Sequence, residues 1–295
     1  MTIRYNAGEV ITAMVTPFDK DLKIDYKSLD NLIEYLINNA SDAILVAGTT
    51  GESPTLTHQE EEELFKYVKK KVNGRVKLVL GASSNSTSTA IEASKKAQEL
   101  GADAILSVVP YYNKPSQSGM YEHFSAIAKA VDLPIILYNI PGRTGVNMCA
   151  QTVGKLAKEF SNIVALKQSN PDLDLISDLK INCPNDFVIY SGDDSLTLPM
   201  LSLGVYGVVS VASHLTGKEI KSMITNFKSG EIAKAQSYHL KLYPLFKKIF
   251  MAPNPVPVKE ALSQLGIIKN YVRLPLVKLT EAEKTELNEV LAKYF

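Results

Sequence analysis

The feature that constrains this chain most is an alternation of eight short apolar runs, each followed by a longer amphipathic one. The short runs fall at 10–15, 42–47, 76–80, 104–109, 134–138, from 163, and at 187–190 and 207–211. They are rich in Val, Ile and Leu, the composition of strands buried on both faces. The longer runs carry helix signals. Leu29, Leu32, Ile33 and Leu36 share one face over 28–39. Thr57, with Glu60 three residues on, forms a capping box for a helix to about Lys71. Further helices are expected over 87–100, closed by Gly101, and over 121–131, 151–160, from 173, 196–203 and 218–227. Parallel strands need crossover connections, usually helices. Eight such units in roughly 225 residues is the length of a closed barrel. The expected class is therefore α/β, a (β/α)8 TIM barrel. An open doubly wound sheet is the competitor, but no Gly-x-Gly-x-x-Gly follows an early strand.

After about Gly230 the texture changes. Residues 232–250 read as helix interrupted near Pro244, 252–257 as a proline-rich turn, and 258–265 and 282–294 as two more helices. The expected organisation is a barrel over 1–229 that carries the active site. A C-terminal helical extension over 230–295 packs on it rather than forming an independent domain.

Bulk properties exclude several classes. The formal net charge of +1 gives no reason to expect nucleic acid or an acidic membrane surface as partner. Cys149 and Cys183 cannot make a disulfide framework, and His58, His123, His214 and His239 lack the spacing of metal ligands, so no metal is expected. The lack of a disulfide framework fits a reducing cytoplasm best; residues 1–5 show no apolar leader and no apolar run approaches membrane-spanning length, so no membrane partner is expected.

In such barrels the active site lies at the carboxyl ends of the strands. The loops after strands two, four, five, six and seven gather Thr49, Thr50, Tyr111, Tyr112, Tyr138, Arg143, Lys167, Gly192 and Asp193 there. Lys167 is the unusual one, because it ends an apolar strand (Ile163-Val164-Ala165-Leu166) and lysine is rarely buried without reason. Burial disfavours a lysine's charged form, and an uncharged amine is the nucleophile that condenses with a carbonyl to a Schiff base. The plain alternative is a packed stem with its head in water, which is the better reading of this stretch alone. Tyr138 could equally be a core tyrosine, Tyr111 and Tyr112 interface aromatics, and Arg143 a surface ion-pair partner. Asp193-Asp194 reads better as a helix cap than as a paired carboxylate site. Taken together, an amine, several hydroxyls and a guanidinium suit carbonyl chemistry on an acidic substrate.

Four motifs carry a resemblance: Gly48-Thr49-Thr50-Gly51-Glu52-Ser53, Pro110-Tyr111-Tyr112-Asn113-Lys114-Pro115, Tyr138-Asn139-Ile140-Pro141-Gly142-Arg143-Thr144-Gly145 and Ser191-Gly192-Asp193-Asp194. In order and over essentially the whole chain, they resemble the dihydrodipicolinate synthase family. That family belongs to the pyruvate-dependent class I aldolase superfamily, with N-acetylneuraminate lyase. The resemblance implies a lyase that condenses pyruvate, held as a Schiff base on Lys167, with L-aspartate-4-semialdehyde. The product would be 4-hydroxy-tetrahydrodipicolinate, which opens the diaminopimelate route to lysine, with no cofactor beyond the covalent imine. It implies Tyr138 as proton donor and acceptor, and Thr49 connecting Tyr138 to Tyr112, which reaches in from a neighbouring subunit. Backbone N–H groups of Thr49 and Thr50 would hold the pyruvate carboxylate, and Arg143 that of the second substrate. Gly192 and Val209 would line the pocket. A homo-oligomer follows, minimally a dimer and by family a tetramer.

A lysine-binding regulatory cleft is implied at Ser53, His58, Asn85 and Tyr111. Here Thr89 stands where inhibited members carry glutamate, which loses a directed contact to the inhibitor's ammonium, and Glu61 stands where they carry histidine and compensates only in part, so weak or absent inhibition is expected. The chain also departs from the family in Gln168-Ser169-Asn170-Pro171, where an acidic residue usually follows the lysine. Strand alternation turns Gln168 away from the pocket that Lys167 enters. Two other readings stay open: a lyase of keto-sugar acids, which would not need the Arg143 clamp, and a non-catalytic barrel, which would not need Lys167, Tyr138 and Thr49 together.

Overall fold

The computed structural model describes residues 3–295. Its strands are β1 (Val10–Ala13), β2 (Ala43–Val46), β3 (Lys77–Gly81), β4 (Ala104–Val108), β5 (Ile135–Asn139), β6 (Ile163–Gln168), β7 (Val188–Ser191) and β8 (Gly207–Ser210). They form one closed parallel barrel in sequence order, as the alternation predicts. The helices are α1 (Tyr26–Asn38), α2 (His58–Val72), α3 (Thr87–Glu99), α4 (Gln117–Ala130), α5 (Pro141–Thr144) and α6 (Ala150–Glu159). They continue as α7 (Leu173–Asn182), α8 (Thr197–Leu201), α9 (Ser213–Lys228), α10 (Ile232–Lys248), α11 (Val256–Gln264) and α12 (Glu281–Leu291). No helix among the described residues is long and apolar enough to cross a membrane.

By its contacts the chain divides into two compact units. One ends its first segment at Glu9 and resumes over Leu78–Val209; the other comprises Val10–Lys77 and Ser210–Phe295. In the first, β5, β6 and β7 are buried along their whole length. Their register sets Tyr138 beside Lys167 and Lys167 beside Tyr190. In the second, β1 pairs with β2, and the Thr57–Glu60 capping box opens α2 as expected.

Four elements differ from the sequence reading. Helix α4 begins at Gln117 because the Ser116 hydroxyl accepts the Gly119 N–H at 3.2 Å. A one-turn helix, α5, occupies the Pro141–Thr144 loop, too short to show periodicity. Helix α9 starts at Ser213 and bends at Thr216 (φ −131°, ψ 40°), just before the glycine that masks its first turn in the sequence. Helix α10 runs through Pro244 unbroken. Its buried face (Ala235, Leu242, Leu245, Phe246) holds it through the proline.

His214 is fully buried in the second unit. Its Nε2 accepts the Val15 N–H at 3.1 Å, so Nδ1 carries the proton and donates to the Val211 carbonyl at 2.9 Å. Burial pushes it down to about 4, from an ordinary 6.5. Because the unfolded chain then binds the extra proton, stability is fully present above pH 6.5 and is lost as pH falls toward 4. This histidine alone contributes roughly 3 kcal/mol over that window. Urea midpoints measured from pH 7 to pH 4 should fall steeply in the wild type and less steeply in His214→Gln.

Candidate active site

Lys167, the penultimate residue of β6, is 7% exposed, with its Nζ 4.1 Å from the centroid of the Tyr138 ring on β5. It makes no hydrogen bond or ion pair with any described residue, which is uncommon for a lysine so buried. Gly192, after β7, makes room for it. A Cβ at position 192 would lie 1.9 Å from Ser169 Oγ and 2.9 Å from Lys167 Cε, so only glycine fits beneath the lysine stem. Alternation places Gln168 on the other face, where it is fully buried and its Oε1 accepts from Asn139 Nδ2 at 3.1 Å. Asn139 Nδ2 also donates to Asn147 Oδ1 at 2.7 Å, and its Oδ1 accepts the Met148 N–H at 3.1 Å. This amide network fixes the edge of β5 and β6 behind Tyr138 and Lys167. The Gln168–Pro171 departure therefore leaves the lysine's own strand position intact. Val209 is buried on β8.

The loop after β5 presents Arg143 on α5, exposed and without a side-chain partner among the described residues. Gly145 closes that turn at φ 74° and donates to the Pro141 carbonyl at 2.9 Å. The loop after β4 holds Tyr112 at φ 72°, with its side chain turned outward and 90% exposed; Tyr111 is 41% exposed. Asn85 ties this loop down, donating to the Tyr111 carbonyl at 3.2 Å and accepting from Asn113 at 2.8 Å. After β7, Asp193 caps the next turn by accepting the Ser195 N–H at 2.9 Å, and is not half of a carboxylate pair.

In the second unit the loop after β2 has two residues in the left-handed region, Ala47 (φ 52°) and Glu52 (φ 56°), bracketing Gly48-Thr49-Thr50-Gly51. Neither is glycine, so each costs about 1–2 kcal/mol that neighbours must offset. The Thr16 hydroxyl donates to the Gly51 carbonyl at 2.7 Å. The Thr50 hydroxyl accepts from Asn254 Nδ2 at 2.9 Å. The backbone N–H groups of Thr49 and Thr50 donate to no described residue, although Thr50 is buried. Buried unpaired N–H groups are rare and mark a place for an anion.

Glu52 anchors this loop from below. One carboxylate oxygen forms a wholly buried ion pair with Lys259 of α11, and the other accepts the Arg273 N–H at 3.0 Å. Lys259 also donates to the Tyr271 carbonyl at 2.8 Å and lies 4.2 Å from the Phe18 ring centroid. Burial pushes its ammonium down to about 8, with the Glu52 carboxylate opposing the shift. Arg273 grips Glu60 with two bonds, 2.9 and 2.6 Å, which hold that carboxyl down to about 2. Lys259, Arg273 and Asn254 escaped the sequence reading. The only signal was for Lys259, a charged residue inside an apolar helix, Val256-Pro257-Val258-Lys259.

Ser53, His58 and Glu61 follow in the same unit. Burial raises the Glu61 carboxyl to about 7, and its Oε2 lies 3.4 Å from His58 Nδ1. Its charge at neutral pH is thus partial.

A family model described as the dihydrodipicolinate synthetase family matches residues 6–294. The chain is 50% identical over 288 residues to the 4-hydroxy-tetrahydrodipicolinate synthase of Bacillus subtilis, covering 98% of this chain and 99% of that one. A crystal structure of dihydrodipicolinate synthase from Bacillus anthracis superposes with a TM-score of 0.95 at 47% identity, covering 97% of this chain and 98% of that one. The enzyme from Cyanidioschyzon merolae, crystallised with lysine bound, gives a TM-score of 0.95 at 50% identity, covering 98% of each chain.

Proposed function

The chain belongs to the dihydrodipicolinate synthetase family, and on that premise we propose that it condenses pyruvate with L-aspartate-4-semialdehyde through an imine on Lys167. The product is 4-hydroxy-tetrahydrodipicolinate, the opening intermediate of the diaminopimelate route to lysine. The observation that carries this reading is a buried lysine at the end of β6, over a tyrosine ring and without a partner among the described residues.

The amine attacks the pyruvate carbonyl, and water leaves as the imine forms. Loss of a methyl proton gives the enamine, whose carbon attacks the aldehyde and forms the new C–C bond. The second substrate's own amine then displaces Lys167 as the ring closes. Tyr138 exchanges protons at the imine, a role supported by its place beside the amine. Thr49 as the relay between Tyr138 and Tyr112 rests on the family resemblance. The unpaired N–H groups of Thr49 and Thr50 suit the pyruvate carboxylate. The exposed Arg143 guanidinium suits the carboxylate of the aldehyde. Gly192 and Val209 line the pocket, and no separate cofactor enters any step.

The outward Tyr112 ring supports a homo-oligomer, minimally a dimer and by kinship a tetramer, in which it enters a neighbour's site. By kinship, a cleft at Ser53, His58, Asn85 and Tyr111 is where lysine would bind, weakened by Thr89 in place of glutamate, a loss that the half-neutral Glu61 offsets only in part. A cytoplasmic location and a catalytic barrel over 1–229 with a helical extension over 230–295 belong to the same reading.

The test is product formation from pyruvate and aspartate semialdehyde in the wild type and in Tyr138→Phe. The wild type should form the heterocycle, and the variant should lose about 10²–10⁴-fold in rate with its fold intact, the usual worth of a general acid–base. Cleavage of N-acetylneuraminate in place of condensation, or a near-normal variant rate, would refute it.

A further inference from the structure

We propose that Asn254 is a positioning residue that makes the Thr50 hydroxyl a hydrogen-bond donor to the substrate carboxylate. This rests on the pyruvate reading above. A threonine hydroxyl has one proton and can donate only once. At Thr50 the hydroxyl oxygen already accepts from Asn254 Nδ2 at 2.9 Å. The hydroxyl's own proton is committed to no described residue. An amide –NH₂ cannot accept, so the Thr50 proton must point away from Asn254. Three donors on two adjacent residues then remain open: the N–H groups of Thr49 and Thr50, and the Thr50 O–H. That set matches a carboxylate, which accepts at both oxygens.

The orientation of Asn254 enters the same accounting. Its Oδ1 is buried with no partner. Turning the amide over would satisfy that oxygen with the Thr50 proton and put the –NH₂ where the oxygen now stands, so the two orientations differ in where the Thr50 proton goes. The flipped form would remove the donor from the carboxylate site. The residue lies ahead of α11, which carries Lys259, so one stretch of chain fixes both the Thr50 hydroxyl and the Glu52 carboxylate.

Two substitutions separate orientation from simple tethering. Asn254→Ala frees the hydroxyl to rotate, so the KM for pyruvate should rise about five- to tenfold, one neutral hydrogen bond. The KM for aspartate semialdehyde should hold within about twofold, and kcat should change little. Asn254→Asp keeps the size and a bond to Thr50, but an ionised carboxylate can only accept. It takes the Thr50 proton and adds negative charge beside the substrate's, so the KM for pyruvate should rise at least about 100-fold, more than in the alanine variant. Thr50→Val/Asn254→Ala should be no worse than Thr50→Val alone, because both act through one proton. This cycle reads the coupling even if the aspartate variant folds poorly. A wild-type KM in Asn254→Asp, an additive double variant, or equal changes in both substrates' KM would overturn the inference while leaving the synthase reading intact. A wild type that does not turn over pyruvate overturns both.

Discussion

Replacing Lys167 with alanine is expected to lower turnover on the order of 10⁴-fold or more, the scale of removing a catalytic nucleophile. The loss should be in kcat, with the melting temperature unchanged or raised. No described residue pairs with the Lys167 side chain, so alanine strands no partner, and it removes a buried polar head that has none. Tyr138 loses only a neighbour above its ring. A catalytic lysine and a structural lysine thus give opposite results in one pair of measurements. Steady-state kinetics and thermal melting of the same preparation make the comparison. A variant that retains a tenth of wild-type turnover would assign the imine elsewhere.

Lys259→Met should give the opposite pattern, with a large stability loss. The substitution preserves volume but leaves the buried Glu52 carboxylate with a single N–H donor, from Arg273. Stranding one member of a buried pair costs about 3–5 kcal/mol. For a chain of this size that is a fall of about 5–8 °C in melting temperature. Glu52→Gln/Lys259→Met removes both charges and should recover most of the loss. Because Glu52 ends the Thr49–Thr50 loop in a left-handed conformation, the KM for pyruvate should rise with the stability loss. An unchanged melting temperature in Lys259→Met would show that the pair does not anchor the loop.

The barrel was legible because its signal is periodic. Strands β5, β6 and β7 open on apolar runs and are buried throughout, and α1 carries its buried leucines on one face. Boundaries slipped where a side chain set them: Ser116 starts α4 earlier than its apolar residues do. The α5 turn was hidden because four residues make no period. Pro244 misled because tertiary packing held α10 through a residue that breaks isolated helices. At the site, Lys167 and Tyr138 were readable from strand register, since equivalent ends of adjacent parallel strands must meet. Gly192 stood in a motif, but its reason, the lysine stem lying over it, needed coordinates. Asn254 and Lys259 were illegible because each acts on a loop some 200 residues earlier in the chain. No local pattern in the sequence links positions so far apart.

The central claim is a covalent bond between Lys167 and pyruvate, and borohydride reduction tests it most directly. The wild-type protein is treated with borohydride with and without pyruvate, digested, and its peptides mapped by mass. The account predicts one reduced pyruvate adduct on the Lys167 peptide, dependent on pyruvate and absent from Lys167→Ala. An unmodified Lys167 peptide alongside intact condensation activity would contradict it.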